Sequence, residues 1–310
     1  MKDSIQHKPT VMIRFSEIAI KSSKTRRWLT QRLVNHIKYV LNLKSIKNFE
    51  VINDYSRLFV ESDEPELISK YISTLIPGTA SLSIVHKCNT DIKEMEMIID
   101  EFYKDNIRSS ESFSVKVRRT GNHPFTSVEL AAKLGEYIIN SNSDIQLKVN
   151  LTNPDYTLRF DVREETTYIF DEIKSGLGGL PVGCQGNVLV LISGEEEDLA
   201  NIIQLYKRGA NTMIFSICKR ENLSKKFINQ IEEILILQPK IRKLQHKIFY
   251  GENELDIQEI IDYYSKFECK GISVSNTLFN KVSSMFPVTI PLFVPHLVTA
   301  INRKDLQNFI

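Results

Sequence analysis

The stretch that decides the reading is Gly176-Leu177-Gly178-Gly179-Leu180-Pro181-Val182-Gly183-Cys184-Gln185-Gly186-Asn187, then Val188-Leu189-Val190-Leu191-Ile192, then Ser193-Gly194-Glu195-Glu196-Glu197-Asp198. A glycine-rich connector leads into a short apolar run and a sharp turn at Ser193-Gly194. Leu199, Ile202, Ile203 and Tyr206 then recur at helical spacing before Lys207-Arg208-Gly209. This is the pattern of a linker, a buried parallel strand, a turn and a crossover helix, the opening βα unit of an open α/β sheet. In such a sheet the first strand-to-helix turn presents backbone N–H groups to a phosphate.

The residues in that turn oppose a phosphate. Glu195, Glu196, Glu197 and Asp198 are consecutive carboxylates, and like charges about 4 Å apart repel by roughly 4 kcal/mol at an effective dielectric near 20. Acidic side chains in a first helical turn are favoured by the macrodipole by about 0.3–1 kcal/mol each. The carboxylates are therefore expected to take the place of an anion and stabilise the turn themselves.

Working outward, 310 residues suggest two or three domains. The formal net charge of +2 decides nothing, but its distribution does. Between Arg14 and Lys47 the basic residues, Lys24, Arg26 and Arg27 among them, are opposed only by Glu17, whereas 61–111 is acidic. A basic amino-terminal segment fits an anionic partner such as nucleic acid. No apolar run reaches the roughly 18–20 residues of a membrane span, and no signal peptide is evident. Cys88, Cys184, Cys218 and Cys269 are widely spaced and form no CxxC pair, which suggests neither a disulfide framework nor a zinc site and suits a reducing cytoplasm.

Upstream of the connector the pattern is α+β. A strand at 11–15, an amphipathic helix through Trp28, Leu29, Leu33, Ile37, Val40 and Leu41, a hairpin around Asn53-Asp54 and a helix at 65–75 fit a ferredoxin-like layer. A strand at 81–85, a helix at 94–102, an alternating strand at 113–119 and a capped helix opened by Thr126, Ser127 and Glu129 follow. Further strands are expected at 149–155, 156–162 and 167–170. Beyond Ile192, strands at 212–218, 247–250 and 271–275 alternate with helices at 227–237 and 256–267.

Several of these stretches resemble the tRNA 4-thiouridine synthetase (ThiI-like tRNA sulfurtransferase) family in the family's own order. Ile13-Arg14-Phe15-Ser16-Glu17-Ile18-Ala19-Ile20-Lys21-Ser22 resembles the opening of its first domain, with Ser16 and Ser22 where glycine is usual. Residues 113–119, the Ser127 to Gly135 helix and the Val149 to Asp155 turn resemble its THUMP domain, an RNA-binding module. Gly-Gly-Leu-Pro-Val-Gly at 178–183, the apolar strand and Ser193-Gly194 resemble the start of its PP-loop domain. The resemblance implies a ferredoxin-like domain at 1–77, a THUMP domain at 78–175, a linker at 176–187 and a PP-loop-like, Rossmann-like parallel-sheet domain at 188–310.

The same resemblance marks what is missing. The remnant of the nucleotide loop is Leu191, Ile192, Ser193, Gly194, Glu195, Glu197 and Asp198. Glu195 stands at the family's second glycine, and Glu197 and Asp198 replace its Asp and Ser. The family's acceptor cysteine is absent from its helix, with Cys269 the nearest thiol, and Ser275, Asn276 and Phe279 alter the later glycine-rich turn. The expectation is a tRNA-binding protein with no catalytic residues and no cofactor or metal of its own. Lys24, Arg26, Arg27, Lys116, Arg118, Arg119, Lys133, Arg159 and Arg163 are the candidate phosphate contacts. The alternative is an active sulfurtransferase that uses ATP and Mg through an altered loop or a partner subunit. A cysteine desulfurase or an active paralogue would then be a partner, and a homodimer is compatible with either reading.

Overall fold

The computed structural model describes residues 9–54, 56–239, 247–251, 256–287 and 289–294. In chain order the elements are β1 (Thr10–Phe15), α1 (Ser23–Leu43), β2 (Phe49–Asp54), β3 (Arg57–Ser62), α2 (Pro65–Leu75) and β4 (Thr79–Asn89). Next come α3 (Ile92–Ile98), a π-helical turn (Ile99–Tyr103), α4 (Lys104–Arg108), β5 (Ser112–Arg119), α5 (Ser127–Ser141), β6 (Lys148–Val149), β7 (Tyr156–Val162), β8 (Thr166–Phe170) and β9 (Lys174–Gly178). The carboxyl-terminal part holds β10 (Asn187–Ile192), α6 (Glu196–Lys207), β11 (Asn211–Ser216), α7 (Lys225–Ile236), β12 (Ile248–Tyr250), α8 (Ile257–Lys266), β13 (Cys269–Ser273), α9 (Asn276–Val282) and β14 (Leu292–Phe293).

The chain sorts into two compact units with interleaved segments. One takes the residues up to Ile13, Asn48–Ser69 and Leu82–Lys174; the other takes Arg14–Lys47, Lys70–Ser81 and everything from Ser175 onward. The amino-terminal helix α1 therefore belongs with the carboxyl-terminal α/β elements.

In the first unit, sheet order runs β2-β3-β1-β4-β8-β7-β5-β6. Alternation in β7 sends Leu158, Phe160 and Val162 to one face, where they pack with Phe113 and with Leu130, Leu134 and Ile138 of α5. Those helical residues recur every fourth position and so form one stripe. Thr126 and Glu129 close the start of α5 as a capping box, the threonine hydroxyl accepting from Glu129 N–H and the glutamate from Thr126 N–H. On the opposite face Met12, Phe59, Val85, Tyr168 and Phe170 form a smaller core, with Phe59 and Tyr168 stacked at 4.7 Å between ring centroids.

The second unit holds a parallel sheet ordered β12-β11-β10-β13-β14. β10 lies at its centre, buried on both faces, which explains its unbroken apolar run. Leu189 and Leu191 pack with Ile260, Ile272, Leu278 and Val282 on one face. In the same unit α1 reaches α7: His36 Nε2 meets the Leu237 carbonyl at 2.9 Å, and the Tyr39 hydroxyl donates to the Ile236 carbonyl at 2.8 Å.

Three expectations need correction. The pattern at 149–155 is not a strand: pairing stops after Val149. The Asn150 side chain accepts from Thr152 N–H and Asn153 N–H and donates to the Asn153 carbonyl, a local turn that outcompetes ladder pairing. The glycine-rich connector is also not wholly a linker, because Lys174–Gly178 forms β9 beside β4. Gly176 permits it: a Cβ there would lie 2.4 Å from the Thr79 carbonyl oxygen. Further along, the strand expected at 212–218 is Asn211–Ser216, ended when the Ser216 hydroxyl donates to the Cys218 carbonyl.

Candidate functional site

The strand-to-helix turn after β10 is built around one side chain. Ser193 follows the last strand residue, Gly194 turns the chain with φ near 100°, and Glu195 takes extended geometry before α6 begins. Asp198, in the first turn of α6, folds back under the loop. Its Oδ2 accepts from the backbone N–H of Ser193 at 2.7 Å, Gly194 at 3.0 Å and Glu195 at 3.1 Å. These are the unpaired donors of a helix start and its preceding loop. Asp198 is fully buried. Burial pushes its carboxyl upward from the usual range, and the N–H groups of Ser193, Gly194 and Glu195 pull the other way.

The neighbouring carboxylates divide the work. Glu195 and Glu196 are exposed, and Leu191 and Ile192 are buried in β10. Glu197 Oε1 accepts from Asn276 N–H at 2.9 Å, tying the β10–α6 turn to the start of α9. Because β11 and β13 flank β10 on opposite sides, this is the topological switch point of the sheet, where open α/β folds bind ligands. Here the two turns bordering the crevice are joined to each other. Asn276 carries no sequence signal for this contact, since a backbone N–H donates.

Three of the four thiols stand apart from this turn. Cys269 opens β13 and is buried in the apolar core rather than closing α8. Burial, with Glu94 and Asp91 nearby, pushes Cys88 up to about 12, and burial also raises Cys184. Cys218 reaches the turn, its Sγ 3.5 Å from the Ser193 carbonyl. Among the described residues no group of three or more His, Cys, Asp or Glu side chains could hold a metal ion.

The candidate phosphate contacts do not all share one face. In β5, Lys116 and Arg118 are exposed on the side opposite α5. The parallel register sets Lys116 beside Arg159 and Arg118 beside Asp161 of β7. Like charges side by side in a sheet are unfavourable, so the Lys116–Arg159 pair suits an external anion. Arg159 also donates to the Thr157 and Asp171 carbonyls, which fixes its direction. Arg119 points to the other side, towards Glu129 at the start of α5, whose carboxyl is held low first by the Thr126 N–H and hydroxyl and only then by the Arg119 charge, and Lys133 lies exposed on α5 itself. Arg163 is engaged with Asp54 at 3.1 Å.

In the second unit Lys24 and Arg27 are exposed at the start of α1, and Arg26 donates to the Ala19 and Lys21 carbonyls. The first turn of α1 contains no acidic residue. Cations there oppose the macrodipole, an arrangement that an anion would relieve.

Among the described residues no helix is long and apolar enough to cross a membrane. The ThiI ferredoxin-like domain family matches residues 10–83, and the THUMP domain family matches residues 89–172. A probable tRNA sulfurtransferase of Methanocaldococcus jannaschii is 28% identical over 275 residues, 84% of this chain and 68% of that protein. One from Methanosarcina acetivorans is 29% identical over 64% of this chain and 48% of its own length. A tRNA sulfurtransferase of Shewanella denitrificans is 32% identical over 64% of this chain and 41% of its own. The chain thus spans about half the length of most of these relatives. Among solved structures, PH1313 from Pyrococcus horikoshii superposes with a TM-score of 0.77 at 22% identity, covering 96% of this chain and 97% of that one. A 4-thiouridine synthetase solved as an RNA complex with bound ATP gives 0.70 at 18% identity, over 96% and 83%. At those identities the likeness establishes the fold alone. The chain thus carries a ThiI ferredoxin-like domain followed by a THUMP domain, and the proteins it resembles along its length are tRNA sulfurtransferases.

Proposed function

We propose that this protein binds tRNA and performs no adenylation of its own. The observation that carries the reading is the Asp198 carboxylate on the N–H groups of Ser193, Gly194 and Glu195. A nucleotide phosphate at this turn would have to displace a buried carboxylate and then sit among Glu195, Glu196 and Glu197. The Glu197–Asn276 contact would also have to open. The residues at the turn do not fit ATP and Mg, and Cys269, packed in the core, does not fit a persulfide carrier.

The tRNA half of the reading is supported by the THUMP match and by the RNA-bound 4-thiouridine synthetase that shares the fold. The Lys116, Arg118 and Arg159 row suits backbone recognition of a folded RNA, in which cations neutralise phosphates without reading bases. Lys24 and Arg27 on α1 are a second cationic group of the same kind.

The test is calorimetric titration of Mg-ATP into the protein, with and without tRNA. The expected result is no heat in either case alongside salt-sensitive tRNA binding. Saturable micromolar ATP binding would instead support an active sulfurtransferase, which adenylates a uridine oxygen and displaces AMP with persulfide sulfur from a cysteine desulfurase.

A further inference from the structure

Behind the carboxylate oxygen that caps the turn lies a second, wholly internal set of polar atoms. Asp198, Asn201, Ser273 and Ser275 are each fully buried. Asp198 and Asn201 are three apart on α6 and share a helical face. Ser273 ends β13 and Ser275, two residues on, is still extended, so these two share a strand face. The β10–β13 register pairs Val190 with Ser273, which places Ser273 on the face opposite the Leu189, Leu191 and Ile272 core. The Glu197–Asn276 bond brings the start of α6 to the end of β13, and α6 then runs back along the sheet, so Asn201 lies one turn on from Asp198 in the direction that leads from Ser275 to Ser273. The Ser275 side chain lies close enough to favour the charged form of Asp198.

Proximity does not satisfy these groups. Asp198 Oδ1, both amide atoms of Asn201, Ser273 Oγ and Ser275 Oγ are buried without a hydrogen-bond partner of ordinary geometry among the described residues. Buried polar groups are paired, with solvent or an ion where protein supplies no partner. The atoms at hand select the occupant. The carboxylate and amide oxygens only accept, the amide nitrogen only donates, and each hydroxyl does both. A cation would meet the Asn201 N–H dipoles, and an anion would meet Asp198. A small neutral molecule that both donates and accepts matches the set, and water is the one that fits a fully enclosed position.

We propose that Asp198, Asn201, Ser273 and Ser275 form an internal water site at the switch point of the sheet. Oδ2 of Asp198 holds the turn while Oδ1 addresses the water, so one side chain couples the loop to β13. The site concerns the protein free of ligand and stands apart from whether Mg-ATP binds.

A crystal structure of the full chain at about 1.5 Å resolution tests this. The expected result is a water peak within about 2.7–3.2 Å of at least two of the named atoms. A peak coordinated only by oxygens at the shorter distances of a metal ion would overturn the proposal. So would an absent peak with the four side chains bonded to one another. In solution, oxygen-17 relaxation dispersion of the intact protein and of Asn201→Leu should differ by at least one long-lived water. Equal counts would overturn it too.

Discussion

His36 Nε2 lies 2.9 Å from the carbonyl oxygen of Leu237, with the two residues 201 positions apart in the sequence. The imidazole is buried, and its Nδ1 has no partner among the described residues. Burial lowers its pKa from 6.5 to about 4, with the Leu237 hydrogen bond only partly compensating. The neutral ring is therefore the form the fold accepts. Its contribution is intact above pH 6.5 and is lost as pH falls towards 4, because the unfolded state takes up a proton that the folded state refuses. The loss amounts to about 3 kcal/mol across that window. Urea denaturation between pH 7 and 4 should show this decline, and His36→Gln should flatten it.

Asp198→Ala should destabilise the protein by about 2 kcal/mol, since three backbone donors lose their buried acceptor. Inorganic phosphate should restore part of that stability in the variant and do little for the parent protein, because the freed N–H groups form an anion site. Thermal melts with and without phosphate measure both effects. A variant indifferent to phosphate would argue that the three carboxylates outside the cradle dominate it.

Arg57 and Asp161 form a buried pair at 2.8 Å joining β3 to β7. Removing Asp161 should cost about 3–5 kcal/mol, because Arg57 is left uncompensated, and removing Arg57 should cost less, because Arg163 Nε still lies 3.9 Å from Asp161. Replacing both by apolar residues of similar volume should cost far less. A double-mutant cycle by chemical denaturation separates the two cases. Additive losses would show that the pair acts as two independent side chains.

Lys116→Ala with Arg118→Ala should weaken tRNA binding and lower the slope of log affinity against log salt by about 1–2. Lys133→Ala, on α5 and away from that strand face, should change neither. Filter binding at several salt concentrations distinguishes them. Loss in the Lys133 variant alone would move the RNA surface to the helix side of the sheet.

Much of this architecture was legible because its signals are local. The run Val188 to Ile192 is apolar since β10 is covered on both faces, and α5 announces itself through Thr126, Glu129 and the Leu130, Leu134, Ile138 stripe. The idea that acidic residues replace an anion at the turn could be formed from charge alone. Which one does so could not: only folding brings Asp198 back under Ser193. The sequence pattern grouped Arg118 with Arg119, whereas strand alternation sends them to opposite faces. At 149–155 hydrophobic alternation was misleading, since the Asn150 side chain competes locally for backbone partners that no periodicity count includes. Long-range pairs such as Arg57–Asp161 and His36–Leu237 lie 104 and 201 residues apart and leave no trace in a window.

The placement of α1 among the carboxyl-terminal elements has a consequence for synthesis. The helix leaves the ribosome 201 residues ahead of the Leu237 carbonyl that receives His36. At about 5–20 residues per second, some 10–40 seconds pass before that contact can form. Through that interval the His36 imidazole and the Tyr39 hydroxyl lack their partners at the end of α7, so the packing of this helix is completed only by late synthesis.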